Sequence, residues 1–298
     1  MKPRGITHAE MQVTGLPRRR AVNRAMEGIA TLTALIGVAI LVIIVWSVAQ
    51  RGAGALNLDL LTKTPIPFSF TNAPTGLANA FVGTLVIVGI ATAMALPVGI
   101  LIAIYLNEFA RPSVRGAVSL ALDVLNGIPA IVIGIFVFGL FVVGHGQSGL
   151  AGSFALACLM LPLVARSTQE ILALVPNASR EASLALGVPR WRTVLSVVMP
   201  QTIGGIVTGA TLAVARVAGE TAPLLFTSSI VGTTVQTNPS HALQSIPVAI
   251  FEYSESPDPK DHAQAWAAAL VLLAFILVAS MTARWLAGRS KRRMGLSR

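Results

Sequence analysis

Six membrane-spanning helices with no sheet form the fold class that this 298-residue sequence predicts, and three observations predict it. Hydrophobic residues make up 54% of the chain and charged ones only 11%, with a mean hydropathy of +0.74, far from the composition of water-soluble domains. The apolar residues fall into six runs, at about 28–49, 77–106, 121–144, 150–174, 201–225 and 264–287, each long enough to cross about 30 Å of hydrocarbon as a helix. Lys and Arg concentrate in the tails and in alternate connecting segments, as topology requires.

Taken in order, residues 1–27 form a basic tail with six Lys and Arg. The first run is too long for a signal peptide and lacks a small-residue cleavage site, so it is expected to stay as span one. Segment 51–76 is broken by Pro65, Pro67 and Pro74 and reads as an outer loop. Span two leads into the short basic loop 107–120, and spans three and four follow. After the loop at 176–200 and span five, segment 227–263 carries Asn238-Pro239, Pro257 and Pro259. Its stretch 245–255 is too short to span and is expected to rest at the membrane interface through Phe251 and Tyr253. Span six ends in the basic tail 288–298. Seventeen Lys and Arg lie on the side of the tails against three on the other, so both termini are expected in the cytoplasm. Pro97, Pro129, Pro162 and Pro223 inside spans read as tolerated kinks.

The net charge of +10 serves this topology and does not point to nucleic acid, because the basic residues sit between apolar runs. A lone cysteine, Cys158, excludes an internal disulfide or a thiolate metal cluster, and the four histidines have no ligand partner at useful spacing. No G-x-x-x-x-G-K-[ST], H-E-x-x-H or G-x-S-x-G occurs, so neither an ATPase nor a protease or esterase of those types is encoded.

The cytoplasmic stretch PNASREASLALGVPRWRTVLSVVMP, residues 176–200, is amphipathic. Ser179 is expected to cap a helix, Gly187 to stop it and Pro189 to open the next, presenting Leu184, Leu186 and Val188 as an apolar knob. Such a device suits either a partner's groove or the bilayer surface, and physics alone leaves both open. The spacing of Glu181-Ala182-Ser183, Gly187, Val197, Met199 and Pro200 resembles the EAA loop of permease subunits in ABC importers. It departs from that pattern mildly, at Ser183, Val197 and Met199. The resemblance implies that Glu181, Ala182 and Gly187 belong to a coupling loop that docks into an ATPase subunit.

Within the membrane, Arg216 and Glu220 stand four residues apart in QTIGGIVTGATLAVARVAGETAPLLF, residues 201–226. On one helix they would share a face with Gly204, Thr208 and Leu212. Arg before Glu is the weaker order for such a pair, and an ionised side chain at mid-membrane costs roughly 2.5–3.5 kcal/mol, so a self-contained pair that only fixes packing is a poor device. Arg166 in LMLPLVARSTQE could snorkel to the inner edge. If both guanidiniums converge on a cavity, they offer forked donors to a tetrahedral oxyanion.

The segments GTLVIVGIATAMALPVGILIAIYLNEFA, NGIPAIVIGIFVFG, the 159–200 stretch and ARVAGETAPLLF resemble the PstA type of phosphate ABC permease over residues 77–287. The resemblance implies a type I ABC importer (MetI-like) permease fold within 28–287 with spans two to six as its core. It implies that Arg166, Arg216 and Glu220 line phosphate passage. It also implies a bacterial inner-membrane assembly with a PstC-type permease, two PstB-type ATPase subunits that bind ATP-Mg, and a PstS-type binding protein, with no cofactor in this chain. The alternatives are a permease for sulfate or molybdate, a proton-coupled secondary transporter using Glu220, and a membrane scaffold that transports nothing.

Overall fold

A computed structural model describes residues 16–65, 76–229 and 232–293, and all regular structure among them is helical. The chain divides into two units, residues 1–50 and 51–298. The first contains most of α1 (Leu16–Ala53), which begins within the expected tail; its N-terminal fifteen residues lie outside the described part. From Gly28 to Val48 the helix has no ionisable residue on any side, which suits a lipid environment.

The second unit is built around the pair α3 (Ala78–Ile104) and α6 (Gly149–Ala173). Small residues recur every fourth position on α3, with Ala91, Ala95, Gly99 and Ala103 buried, and Leu156, Met160 and Val164 of α6 meet them on a row of the same spacing. Side-chain rows at this spacing interdigitate, and the small residues bring the backbones close, which is how helices pack in the absence of water. Ala213 and Val217 of α9 (Met199–Ala218) complete this cluster. A second cluster joins α2 (Leu58–Thr62), the start of α3 and α11 (Ile246–Ser254) to α12 (Pro259–Arg293) through Leu60, Ala80, Ala249, Ala267 and Ala268.

Spans two, four and six occupy their expected places. Span three does not: it is two helices, α4 (Pro112–Gly127) and α5 (Ala130–Val137), bent by 96° at Ile128-Pro129 and prolonged as a π turn to Val142. Pro129 has no N–H to continue the ladder, and the residue before it is driven to extended backbone, as Ile128 is at ψ 130°. Five helices are long and apolar enough to cross a membrane, and the bent pair makes the sixth if counted as one span. Span five is one unbroken helical run from Arg190 to Ala218, formed by α8 (Arg190–Thr193), a π turn and α9. It stops at Gly219 before α10 (Ala222–Thr227), short of the expected residue 225.

In the stretch 245–255, expected at the membrane interface, one side of the segment packs on the protein. Ile246, Pro247, Val248 and Ala249 of α11 are buried against α3 and α12, and Thr84 Oγ1 accepts the amide of Ile246 at 2.8 Å. Phe251 remains exposed, but Tyr253 packs against the cluster. The segment is long enough to bury four residues and too short to leave the protein, so it docks back on it.

Candidate functional site

The loop at 176–200 folds as a helix, a bend and a helix. α7 (Asn177–Ala185) opens after Pro176, and Ser179 lies inside its first turn without capping it. Gly187, at φ +76°, makes the left-handed exit that glycine adopts without a Cβ penalty, and its amide bonds to Leu184 O at 2.9 Å. Pro189 is the N-cap of α8, its carbonyl accepting the amides of Arg192 and Thr193 at 3.0 Å each. Ser183 and Thr193, both buried, join hydroxyls at 2.9 Å and staple α7 to α8. Glu181, Ala182 and Leu186 are left exposed, Leu186 by 84%.

One residue ties this loop to the membrane helices. Arg180 donates Nη2 to Glu108 Oε1 at 2.8 Å and Nε to Oε2 at 3.1 Å, and adds bonds to Leu172 O at 2.9 Å and Val175 O at 2.6 Å. Glu108 ends α3 in a π turn, Tyr105–Phe109, and its side chain is only 8% exposed against 16% for Arg180. A forked, buried pair of this kind fixes both direction and distance. The pair spans 72 residues, and no spacing in the sequence points to it.

The three membrane residues are not brought together. Close contacts of Gly205 with Ile171 and of Gly209 with Ser167 set α6 and α9 antiparallel, since higher numbers on one meet lower numbers on the other. Arg166 is one residue from Ser167 and Arg216 seven from Gly209, so the two lie at levels about 9 Å apart along the axes. Arg166 already has a carboxylate: its Nε donates to Asp123 Oδ1 at 2.8 Å and its Nη2 to Asp123 Oδ2, with Ser119 O at 3.0 Å and Gln169 Oε1 at 3.3 Å. Asp123 is the lone acid of the third apolar run, which is the one signal that could have found it.

Arg216 sits in the last turn of α9, where a cation complements the exposed carbonyls, and its side chain is exposed. Glu220 lies beyond the helix end and is half-buried, so the shared helical face expected from the i,i+4 spacing does not form. Gly219 closes α9 through Arg216 O at 3.2 Å, and Pro223 then starts α10. Among the described residues, neither Arg216 nor Glu220 has an ion pair or side-chain hydrogen bond.

At the opposite end of the unit from the 176–200 loop, a polar network closes the core. Asn79 Nδ2 donates to Gln244 Oε1 at 2.5 Å, Gln244 Nε2 to Glu252 Oε2 at 3.1 Å and Ser229 Oγ to Glu252 Oε1 at 3.3 Å. Burial pushes the Glu252 carboxyl above its ordinary range, while the bonds from Gln244 and Ser229 draw it partly back.

Comparison with known proteins fits this architecture. Residues 95–292 match the family model described as binding-protein-dependent transport system inner membrane component. The phosphate transport system permease protein PstA of Haemophilus influenzae is 38% identical over 270 residues, covering 89% of this chain and 94% of its own. PstA 1 of Mycobacterium tuberculosis H37Rv is 35% identical over 287 residues, covering 92% of this chain and 91% of its own. Among solved structures, the MetNI methionine ABC transporter aligns with a TM-score of 0.57 at 18% identity, over 72% of this chain and 94% of that one. The bacterial alginate ABC transporter aligns at 0.57 and 14% identity, over 95% and 98%. The helical core and the extent of these matches together place the chain in the PstA family of phosphate transport permeases, inner membrane components of ABC importers.

Proposed function

We propose that this chain forms half of the pathway through which an ATP-driven importer passes phosphate across the inner membrane. The observation that carries the reading is Arg216, a guanidinium without a partner near the outer end of α9, beside the half-buried Glu220, in a chain whose relatives are phosphate permeases. A cation left unpaired at that depth is costly unless an anion visits it. Glu220 weakens the hold on that anion, so that phosphate is released rather than trapped. Arg166 enters differently, because Asp123 occupies its fork: phosphate reaching that level exchanges with a carboxylate already in place.

The other half of the pathway is a PstC-type permease, which meets the exposed side of Arg216. Phosphate is delivered by a PstS-type binding protein, and two PstB-type ATPases hold ATP-Mg and dock on the loop containing Glu181, Ala182 and Gly187. When the ATPases close, α7 draws on α3 through Arg180 and Glu108, and α8 draws on α9 through unbroken helical backbone. The two connections alternate the access of the pathway between the two sides.

The test is uptake of labelled phosphate by the whole complex. Arg216→Ala is expected to reduce uptake to background while the permease pair still copurifies with its ATPases, and unlabelled sulfate or molybdate is expected not to compete. Wild-type uptake by that variant would remove Arg216 from the pathway, and competition by sulfate would reassign the cargo.

A further inference from the structure

Below the membrane core, the end of α3, α4 and the 176–200 loop form an open cavity of about 370 Å³ that the transport reading leaves without a role. Three guanidiniums line it, from Arg115 on α4, Arg180 on α7 and Arg190 on α8, together with one carboxylate, Glu108. The carboxylate is spent on Arg180, whose Nε and Nη2 it accepts while the backbone oxygens of Leu172 and Val175 take further donors. Among the described residues Arg115 and Arg190 have no ion pair and no side-chain hydrogen bond, and both are exposed and line the cavity. The lining therefore keeps two uncompensated positive charges.

Held there by separate elements, two like charges facing one space repel, and a bound anion would relieve that repulsion. A guanidinium offers two parallel N–H donors at the spacing of a phosphoryl group's oxygens, and two of them match the charge of hydrogen phosphate. Asn177, the first residue of α7, adds the free amides of a helix N-terminus to the same wall. The volume admits a phosphate with part of its hydration shell, or the phosphodiester of a lipid headgroup, and is far too large for a single water. The cavity lies on the side where the charge bias puts the cytoplasm, at the other end of α9 from Arg216.

We propose that this cavity is a cytoplasmic phosphoryl-anion site, distinct from the transport pathway, gripped by Arg115 and Arg190. Its occupant bridges α4 to α8 and so holds the coupling loop to the membrane helices from a second direction, beside the Arg180 pair. Inorganic phosphate and an anionic lipid headgroup share the required chemistry.

The experiment uses the complete permease and ATPase complex, without the external binding protein, in nanodiscs, with Arg216→Ala in every sample to silence the pathway and ADP filling the nucleotide sites. In phosphatidylcholine discs, labelled orthophosphate is expected to bind at least about tenfold more weakly when Arg115→Gln and Arg190→Gln are added, as loss of charge-assisted bonds predicts. Arg115→Lys with Arg190→Lys, which keeps the charge but loses the fork, is expected to bind more tightly than the Gln pair and less tightly than the parent, and so to show that the site remains folded. In discs containing phosphatidylglycerol, native mass spectrometry reads whether a phosphatidylglycerol stays on the complex and leaves with the Gln pair; retention that orthophosphate cannot displace assigns the site to lipid. Equal phosphate binding and equal lipid retention with and without the Gln pair would overturn the proposal, as would the absence of both ligands from the parent complex. Either failure leaves the uptake test of Arg216 untouched.

Discussion

Ser183 stands where the importer loop pattern has alanine, and its hydroxyl finds Thr193 ten residues later. A buried hydroxyl without a partner would destabilise the bend, so the departure is tolerated because α8 supplies the complement. The neighbouring Arg180 is the residue on which the loop's attachment rests. Arg180→Ala takes from Glu108 the guanidinium bonded to it, and breaking a largely buried pair costs up to about 3–5 kcal/mol, less where Arg115 and Arg190 in the same cavity compensate. Thermal unfolding of the purified complex should show a marked fall. Glu108→Gln with Arg180→Met, removing both charges, should recover most of the lost stability but not the coupling of ATP hydrolysis to uptake. At this scale the sequence was legible where residues act at fixed intervals: Glu181, Ala182 and Gly187 lie in the loop their spacing indicated, and Gly187 has the backbone angle that explains its identity. Glu108 and Asp123 were not legible as partners, because 72 and 43 residues separate them from Arg180 and Arg166 and only tertiary packing joins them.

Helix boundaries show the same division. Apolar runs place spans two, four and six well, since length and hydropathy are what a bilayer demands of any crossing helix. A run of apolar residues carries no information about direction, however, and the 96° bend between α4 and α5 is invisible in it except through Pro129. At Gly219 the apolar pattern runs on while the helix ends, which moves Glu220 off the face of Arg216. The bent region is held by contact between α5 and α10, where Gly134 abuts Pro223 so closely that an added Cβ would lie 2.6 Å from Pro223 Cα. Because backbone cannot swing aside as a side chain does, Gly134→Ala should destabilise by about 1–3 kcal/mol, the usual cost of overpacking, seen as a lower unfolding temperature in detergent. Gly139→Ala, with open space around the same atom, should not.

At the scale of the molecule, many described helices of the second unit expose large apolar side chains, as a lipid-embedded chain requires, and Leu186 protrudes from the 176–200 loop. Leu186 touches little of its own chain, so Leu186→Glu should leave the permease's thermal stability within about 0.5 kcal/mol. The same change should sharply reduce copurification of the ATPases, because a charge would enter an apolar groove. Unchanged copurification would detach the knob from that role. The family and its architecture were legible in the sequence because the spaced residues of the 176–200 loop and the membrane spans impose patterns that survive in one chain. The pathway was not, because no described residue pairs with Arg216 and the proposed second permease would supply the rest of its surroundings. One feature sets how small a movement can serve the whole assembly. The helical run from Arg190 to Ala218 has 29 residues, hence a length of about 43 Å, and a rod of that length pivoted at the cytosolic end shifts its far tip by about 4 Å for a tilt of roughly five degrees. That is wider than a water molecule, so under the proposed drive from the ATPases a slight lean at the α8 end suffices to open or shut a gap for an ion at the other.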